Sequence, residues 1–238
     1  MTSPPLLVPA RFNGPPDSAN GGWFSGLVAG LLPDSAAVGV RLHSPPPLDT
    51  PLRVSFADDD AVGPLLGVLD GDLRIASVSP LSRPCGEVHP AVSVALAQAN
   101  GAAYEGLHGH PFPTCFSCGT ARPDGLNLRP ARVPHGQGGY AAAWIPTEVT
   151  PEIVWAALDC PGGWSAGIAG RPMVLGTMVA ALDALPVVGE DCVVMAWPRG
   201  GAGRKHFSGS ALYAADGRLL ARAEAVWIAV DPSSVRPR

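Results

Sequence analysis

The sequence contains few charged residues. Only 15 % of its 238 residues are Asp, Glu, Lys or Arg, and a single lysine, Lys205, stands among the 16 basic residues. The net charge is −4, which argues against non-specific nucleic-acid binding as the main role, because such binding needs clustered positive charge. Hydrophobic residues make up 47 % of the chain. This composition predicts a globular protein with a substantial core.

Targeting and spanning segments are also missing. Residues 1–5 contain no basic region that leads into an apolar run, so no signal peptide is predicted. The longest apolar passage, residues 173–188, is interrupted by Asp183 and Pro186 and is too short to span a bilayer. We therefore expect a cytoplasmic protein without a membrane span. Five cysteines, an odd number without an export signal, argue against a disulfide framework.

One short string occurs twice. Residues 20–27 read NGGWFSGL and residues 161–168 read PGGWSAGI, so both contain Gly-Gly-Trp-x-x-Gly before an aliphatic residue. A second echo, Asp-Gly-x-Leu, begins at Asp70 and again at Asp216. The two echoes keep the same order along the chain. Internal repetition of this kind indicates two copies of one structural unit.

Each unit is predicted to contain one helix followed by strands, and the second unit starts with two strand-like runs before its helix. Asn20 is a suitable N-cap for a first helix that ends at Pro33. Thr150 caps a second helix, with Pro151 in its first turn, that closes near Gly170. Strand-like runs bounded by turn residues are predicted at 38–42, 52–56, 63–69, 73–78, 125–133, 139–145, 173–182, 191–197, 207–214 and 219–230. A helix followed by several strands, without βαβ alternation, predicts an α+β fold.

A proline-rich connection separates the two units. We predict an N-terminal unit over residues 1–80, a linker over 81–124 and a C-terminal unit over 125–238. Within the linker, residues 91–99 could form a short helix. A connection of this length usually packs over another part of the protein or carries function.

Three passages carry a resemblance to a known family. Residues 110–119 (HPFPTCFSCG), 155–164 (WAALDCPGGW) and 209–213 (GSALY) resemble passages in thioesterase-like proteins of actinobacteria. The resemblance implies a double hotdog fold, in which two tandem hotdog units each wrap a helix in antiparallel sheet. It further implies acyl-CoA or acyl-carrier thioesters as ligands, hydrolysis as the reaction and no cofactor, and it leaves a homo-oligomer open. The alternatives are a non-catalytic acyl-thioester or lipid-binding protein and a hotdog hydratase or dehydratase, which needs an Asp/His pair.

The resemblance places the thioester carbonyl at the N-terminus of a helix. The paired glycines Gly21-Gly22 and Gly162-Gly163 would then let the ligand approach closely. The backbone amides of Gly22, Gly163 and Trp164 would polarise the carbonyl. The residues themselves leave open that the glycines pack a buried helix against a sheet, with Trp23 and Trp164 as core anchors. Both units lack the acid that phenylacetyl-CoA-type thioesterases carry about two turns after the glycine pair. Because this acid is missing, the alternative of a protein that binds acyl thioesters without hydrolysing them stays open.

Asp159 is the best candidate for a catalytic carboxylate. It comes three residues before Gly162, at the expected N-terminal edge of the second helix, where a short acid is also an ordinary N-cap. As a general base it would activate water beside the carbonyl. Asn20 could orient the water or the carbonyl oxygen, or it could simply cap its helix. Asp17, on the preceding turn, is a weaker candidate.

Arg204-Lys205-His206 is the densest basic cluster and falls on a glycine-rich turn before a predicted strand. Such a cluster could bind the phosphates of CoA. A solvated hairpin turn is the alternative interpretation.

Cys115-x-x-Cys118, with His108 and His110 nearby, resembles half of a zinc site. A closed structural site needs four ligands, and these histidines, Cys85 or Cys160 could supply the remainder. No second Cys-x-x-Cys exists in the chain, so we expect buried or turn cysteines and assign no metal. Zinc binding and a redox pair remain the alternatives.

Overall fold

A computed structural model describes residues 6–32, 34–59, 63–81, 86–134 and 139–231. Pro33 and Cys85, both named in the sequence predictions, lie outside the described residues. The described part contains three α-helices: α1 (Gly21–Ala29), α2 (Val94–Asn100) and α3 (Pro151–Ser165). None of its helices has the length and hydropathy needed to cross a membrane.

Ten strands form one antiparallel sheet in the described part of the chain, which confirms the predicted α+β class. The strands are β1 (Ala37–Leu42), β2 (Arg53–Asp59), β3 (Gly63–Asp70), β4 (Leu73–Leu81), β5 (Ala131–Arg132), β6 (Tyr140–Trp144), β7 (Met173–Leu182), β8 (Cys192–Ala202), β9 (Lys205–Ala214) and β10 (Leu219–Ala229). Their order across the sheet is β2-β3-β4-β1-β7-β10-β9-β8-β6-β5.

The strand order shows the predicted duplication. Outward from the centre of the sheet the order is β1, β4, β3, β2 on one side and β7, β10, β9, β8 on the other. Each set of four follows one helix, α1 or α3, along the chain. The two sets therefore have the same topology and meet where β1 pairs with β7.

The register of the β1–β7 ladder fixes which residues are equivalent. Val38 faces Ala180 and Arg41 faces Thr177. A pseudo-twofold axis through the middle of this ladder relates Val38 to Thr177, which is 139 positions later. The same shift, 139 residues, separates Asn20 from Asp159. The two polar residues singled out in the sequence therefore occupy equivalent places in the two units.

The second Gly-Gly-Trp string does not open a helix, so that prediction is wrong for the second unit. The helix α3 begins at Pro151 with Thr150 as its N-cap, as predicted, and Ile153 N donates to Thr150 Oγ1 at 3.3 Å. Gly162-Gly163-Trp164 lies in its last turn. Only the first amides of a helix lack an acceptor within it, so these three residues offer no free N–H groups to a ligand.

The glycines of α3 serve packing instead. A Cβ atom at Gly162 would lie 2.8 Å from Ser208 Oγ, and one at Gly163 would lie 3.0 Å from the Trp227 ring. Every residue of α3 from Ile153 onward is buried, which follows from a helix that rests on strands of the second unit. The packing interpretation therefore holds for the second glycine pair.

The glycines of α1 allow close contact with α3. A Cβ atom at Gly22 would overlap Asp159 Cβ and lie 2.7 Å from Trp155 O, and one at Gly26 would lie 2.7 Å from Glu152 Cα. Gly22 and Gly26 are one turn apart and therefore share a helix face. Along this face the backbones of the two helices pack with no side chain of α1 between them.

We predict that Gly22→Ala destabilises the protein by about 1–3 kcal/mol, the usual cost of overpacking a tight contact. The new methyl group would press on a backbone oxygen that cannot move without shifting α3. Gly30→Ala is the matched control, because the nearest atom to its Cβ position is 3.4 Å away. Denaturant unfolding of both variants would measure the difference, and equal small effects would contradict the close helix contact.

The long connection packs over the helices, as its length suggested. Ser117 Oγ donates to Ala156 O of α3 at 2.7 Å, and the buried Tyr104 donates its hydroxyl to Cys118 O at 3.0 Å. The predicted short helix is present as α2, which Ser93 caps through Leu96 N. The predicted strand over residues 125–133 is mostly wrong, because Leu126 N and Leu128 N donate to Phe116 O and Ser117 O of the connection. Only Ala131–Arg132 pairs as a strand.

Candidate functional site

A cavity of about 400 Å³ lies beside the start of α1 and the end of α3. This volume is at the lower end of the range for small-molecule sites. Its walls come from both units and from the long connection. Its large apolar lining residues are Leu42, Phe112, Trp164, Ile168, Met173, Leu175, Trp227 and Ile228. Such a lining suits a hydrophobic ligand group.

Asn20 and Asp159 form a buried polar pair in the cavity wall. Asp159 Oδ2 accepts hydrogen bonds from Asn20 Nδ2 at 3.1 Å and from Gly22 N at 3.0 Å. Asn20 Oδ1 in turn accepts from Trp23 N at 2.8 Å, so Asn20 caps α1 as predicted. The capping prediction for Asp159 is wrong, since this residue is the ninth of α3 and lies inside the helix.

The second carboxylate oxygen of Asp159 has no hydrogen-bond partner among the described residues. The side chain is 2 % exposed, and burial raises the pKa of Asp159 to about 7 against the lowering effect of the Gly22 amide and the Asn20 side chain. A buried polar atom without a partner is costly. Oδ1 is therefore the atom of this site most in need of a ligand or a water molecule.

The start of α1 supplies a different amide from the one expected. Gly22 N is already engaged by Asp159, so it does not serve as a free donor. Gly21 is the first residue of α1 and lines the cavity. The amide of a first helical residue has no acceptor within its own helix and lies at the positive end of the helix dipole. Gly21 N is thus the candidate backbone donor at the start of α1 beside the cavity.

Cys115 and Cys118 lie at a turn of the long connection, as predicted. Arg122 holds this turn by donating to Thr114 O at 3.0 Å and to Asn13 Oδ1 at 2.8 Å. Both thiols are free, buried and part of the cavity lining, together with Cys160 of α3. Hydrogen bonds with the neighbouring thiols lower the pKa of Cys115, whereas burial raises the pKa of Cys118.

His110 also lines the cavity. Phe112 N donates to His110 Nδ1 at 2.9 Å, and His110 Nε2 lies 3.3 Å from Cys118 Sγ. Because an N–H group donates to Nδ1, a neutral ring carries its proton on Nε2. His110 therefore donates to the Cys118 sulfur. Burial lowers the pKa of His110, which favours the neutral ring.

The basic cluster lies outside the cavity wall. Arg204 and Lys205 are exposed at the turn between β8 and β9, and His206 is half-buried. Lys205 is paired with Ile228, and Arg204 O accepts from Ala229 N at 2.8 Å. Since Ile228 lines the cavity, the cluster is one strand away from it.

The structure thus brings Asn20, Gly21, Asp159 and Trp164 to one cavity, together with the weaker candidate Asp17. The other residues of the predicted catalytic and binding sets, which are Gly22, Gly162, Gly163, Arg204, Lys205 and His206, are not part of its lining. His110 and the three cysteines belong to this wall but were absent from the predicted catalytic and binding sets. One clue to the cysteines was present in the sequence, because Cys160 directly follows the predicted catalytic residue Asp159. Spacing alone could not show that the Cys-x-x-Cys turn folds back onto that residue.

No family model and no curated protein sequence matches the chain. Among solved structures it is similar to the acyl-CoA thioesterase II of Mycobacterium marinum, with 11 % identity and a TM-score of 0.57 over 89 % of this chain and 91 % of that one. It is also similar to a hot dog fold protein of Alicyclobacillus acidocaldarius, with 10 % identity and a TM-score of 0.56 over 94 % and 92 % of the two chains.

A third similar structure is the dehydratase domain of a mycocerosic acid synthase-like polyketide synthase. The identity is 13 % and the TM-score is 0.61, over 97 % of this chain and 98 % of that one. At such identities the likeness concerns the fold. With its duplicated helix-and-sheet unit and its similarity to these structures over most of its length, the chain has a double hotdog fold.

Proposed function

We propose that this protein binds the acyl group of an acyl-CoA-like thioester in the cavity and hydrolyses the thioester. The carrying observation is the unpartnered, buried carboxylate oxygen of Asp159, a residue that lines an apolar cavity together with Gly21, the first residue of α1. The similarity in fold to the acyl-CoA thioesterase II of Mycobacterium marinum supports this proposal. A carboxylate beside a helix N-terminus suits acyl transfer to water, because one group accepts a proton and the other stabilises an oxyanion.

The proposed chemistry needs only water and the thioester. Asp159 Oδ1 accepts a proton from a water molecule as the water oxygen attacks the carbonyl carbon. The carbonyl oxygen gains negative charge, which the Gly21 amide and the α1 dipole stabilise. Collapse of the tetrahedral intermediate breaks the C–S bond, and the thiolate leaves and takes the proton from Asp159. Asn20 acts as a positioning residue, because it holds the other oxygen of the carboxylate.

The test is a panel of acyl-CoA and acyl-carrier thioesters of increasing chain length, with binding and thiol release measured separately. We expect both, with a preference for acyl groups that a 400 Å³ cavity holds. Binding without thiol release would replace hydrolysis by the acyl-thioester-binding alternative. Neither binding nor release for any ester would reject the proposal.

A hydratase or dehydratase is the second candidate, because His110 and Asp159 line the same cavity. Hydrolysis stays ahead of it, since both ring nitrogens of His110 already have partners. The same panel distinguishes the two when it includes 3-hydroxyacyl and 2-enoyl thioesters. Interconversion of these esters without thiol release would favour the second candidate.

We predict that Arg204→Ala weakens binding of CoA esters about fivefold, which corresponds to roughly 1 kcal/mol, the usual worth of one charge-assisted contact at a surface. The reason is that a cavity of 400 Å³ holds the acyl group alone, so the CoA phosphates must lie outside, where the basic cluster is one strand away. Short thioesters without the nucleotide should bind unchanged. Arg53→Ala is the matched control, because this exposed arginine lies on the edge strand β2, six strands away from β9 in the sheet. Equal losses in both variants would contradict a specific phosphate contact.

A further inference from the structure

Three buried thiols from two distant parts of the chain meet in the cavity wall. Cys115 and Cys118 come from the connection and Cys160 comes from α3, and their Sγ atoms all lie within 4.8 Å of one another. They are 3 %, 3 % and 9 % exposed. Hydrolysis as proposed above uses none of them.

The spacing of two of the sulfur atoms suits a tetrahedral metal ion, and the third lies within 4.8 Å of both. Zinc binds thiolate sulfur at about 2.3 Å, and tetrahedral angles then place two such sulfurs about 3.8 Å apart. Cys115 Sγ and Cys160 Sγ are 3.6 Å apart. This distance is close to the tetrahedral value, so the fold holds these two sulfur atoms where a metal ion would need them.

Each sulfur atom also faces an N–H donor. Asn20 Nδ2 lies 3.7 Å from Cys115 Sγ and 3.7 Å from Cys160 Sγ. Trp164 Nε1 lies 3.5 Å from Cys118 Sγ, and the proton of His110 Nε2 points to the same atom from 3.3 Å. Donors of this kind orient and stabilise metal-bound thiolates from the second shell of a metal site.

We propose that Cys115, Cys118 and Cys160 bind one Zn²⁺ as thiolates. Soft sulfur ligands in this number select zinc over the hard cations magnesium and calcium. Binding releases three thiol protons to solvent, and the ion offsets the charge of three buried thiolates, which would otherwise be costly. The site goes beyond the proposed thioester hydrolysis and does not depend on it.

The fourth position faces the cavity. Among the described residues no further His, Cys, Asp or Glu joins the three-sulfur group within its 4.8 Å spread. The proton on Nε2 makes His110 a donor to the site and not its fourth ligand. All three cysteines line the cavity, so the fourth ligand comes from there as a water molecule. A zinc ion at this place also ties the Cys-x-x-Cys turn to α3, next to Asp159.

The first test is elemental analysis of the purified full-length chain, with zinc counted per protein molecule. We expect one zinc ion per chain, which falls to a small fraction in Cys115→Ser, Cys118→Ser and Cys160→Ser. Cys192→Ser is the matched control, since Cys192 is a fully buried free thiol outside the cluster, and it should keep the ion. His110→Ala should also keep it, although with weaker affinity.

A second measurement covers the case in which a cysteine variant fails to fold. X-ray absorption at the zinc edge of the wild-type protein should show three sulfur neighbours at about 2.3 Å and one lighter neighbour. Reduced, metal-free protein that takes up no stoichiometric zinc would overturn the proposal. So would a Cys115–Cys160 disulfide in protein prepared without air. Loss of the ion in His110→Ala would overturn the three-thiolate coordination.

Discussion

Asp159→Asn is expected to slow thioester hydrolysis by about 10²–10⁴-fold, the usual cost of losing a general base. Asparagine has nearly the same shape, and its side-chain oxygen can still accept from Gly22 N and Asn20 Nδ2. Binding of the acyl-CoA should therefore change little. Single-turnover thiol release and equilibrium binding with a non-hydrolysable analogue would separate the two effects.

Asp17→Asn provides the matched control for that experiment. Asp17 is an exposed carboxylate that also lines the cavity, so its removal changes the local charge without touching the buried pair. Its turnover should stay close to that of the wild type. If Asp159→Asn hydrolyses as fast as the wild type, Asp159 is not the base. If it loses folding and binding together, the residue serves structure alone.

Asn20→Ala is expected to lower the free energy of unfolding by about 2–4 kcal/mol. The variant loses the N-cap of α1, worth about 1 kcal/mol, and leaves a buried carboxylate oxygen with one donor instead of two. Ser93→Ala removes a comparable cap from the exposed helix α2, where no buried carboxylate is involved. Its effect should not exceed about 1 kcal/mol. Urea unfolding of both variants measures the difference, and equal effects would show that the Asn20–Asp159 bond contributes nothing to stability.

Secondary structure was largely predictable where burial alternates along a strand. In β10, Ala221, Ala223, Ala225 and Trp227 are buried while the residues between them are less so, and this strand was predicted almost to its ends. The C-terminal end of β8 was harder to predict, since the predicted strand stops at Trp197 and the observed one at Ala202. Its last five residues are exposed and include Pro198 and two glycines, so they read as a turn although they pair with β9 as a ribbon.

The repeated string gave the right duplication with the wrong alignment. Matching Trp23 to Trp164 implies a shift of 141 positions, whereas the ladder at the centre of the sheet and the Asn20–Asp159 pair give 139. Glycine next to tryptophan serves close packing at either end of a helix. The glycines of α1 contact another helix, and those of α3 contact the sheet. The string therefore does not show whether it begins or ends a helix.

The site was only partly predictable for a different reason. Asp159 and Asn20 stood out because each is a polar residue shortly before a Gly-Gly pair. The cysteine cluster depends on how the connection folds back, and contacts such as Ser117 to Ala156 join residues 39 positions apart. No local pattern records such a contact.

Asn20 and Asp159 occupy equivalent places in the two units and are hydrogen-bonded to each other, so they face each other across the pseudo-twofold axis. Only a single chain allows the two residues at this place to differ. In a homodimer a residue on the axis must face its own copy. Two aspartates there would share one proton, because like charges so close cannot both ionise, and two asparagines would leave the cavity without a carboxylate. Covalent linkage of the two halves removes this restriction. The first half supplies the side-chain amide of Asn20 and the second half supplies the carboxylate of Asp159. A symmetric dimer of either half alone could not combine these two groups.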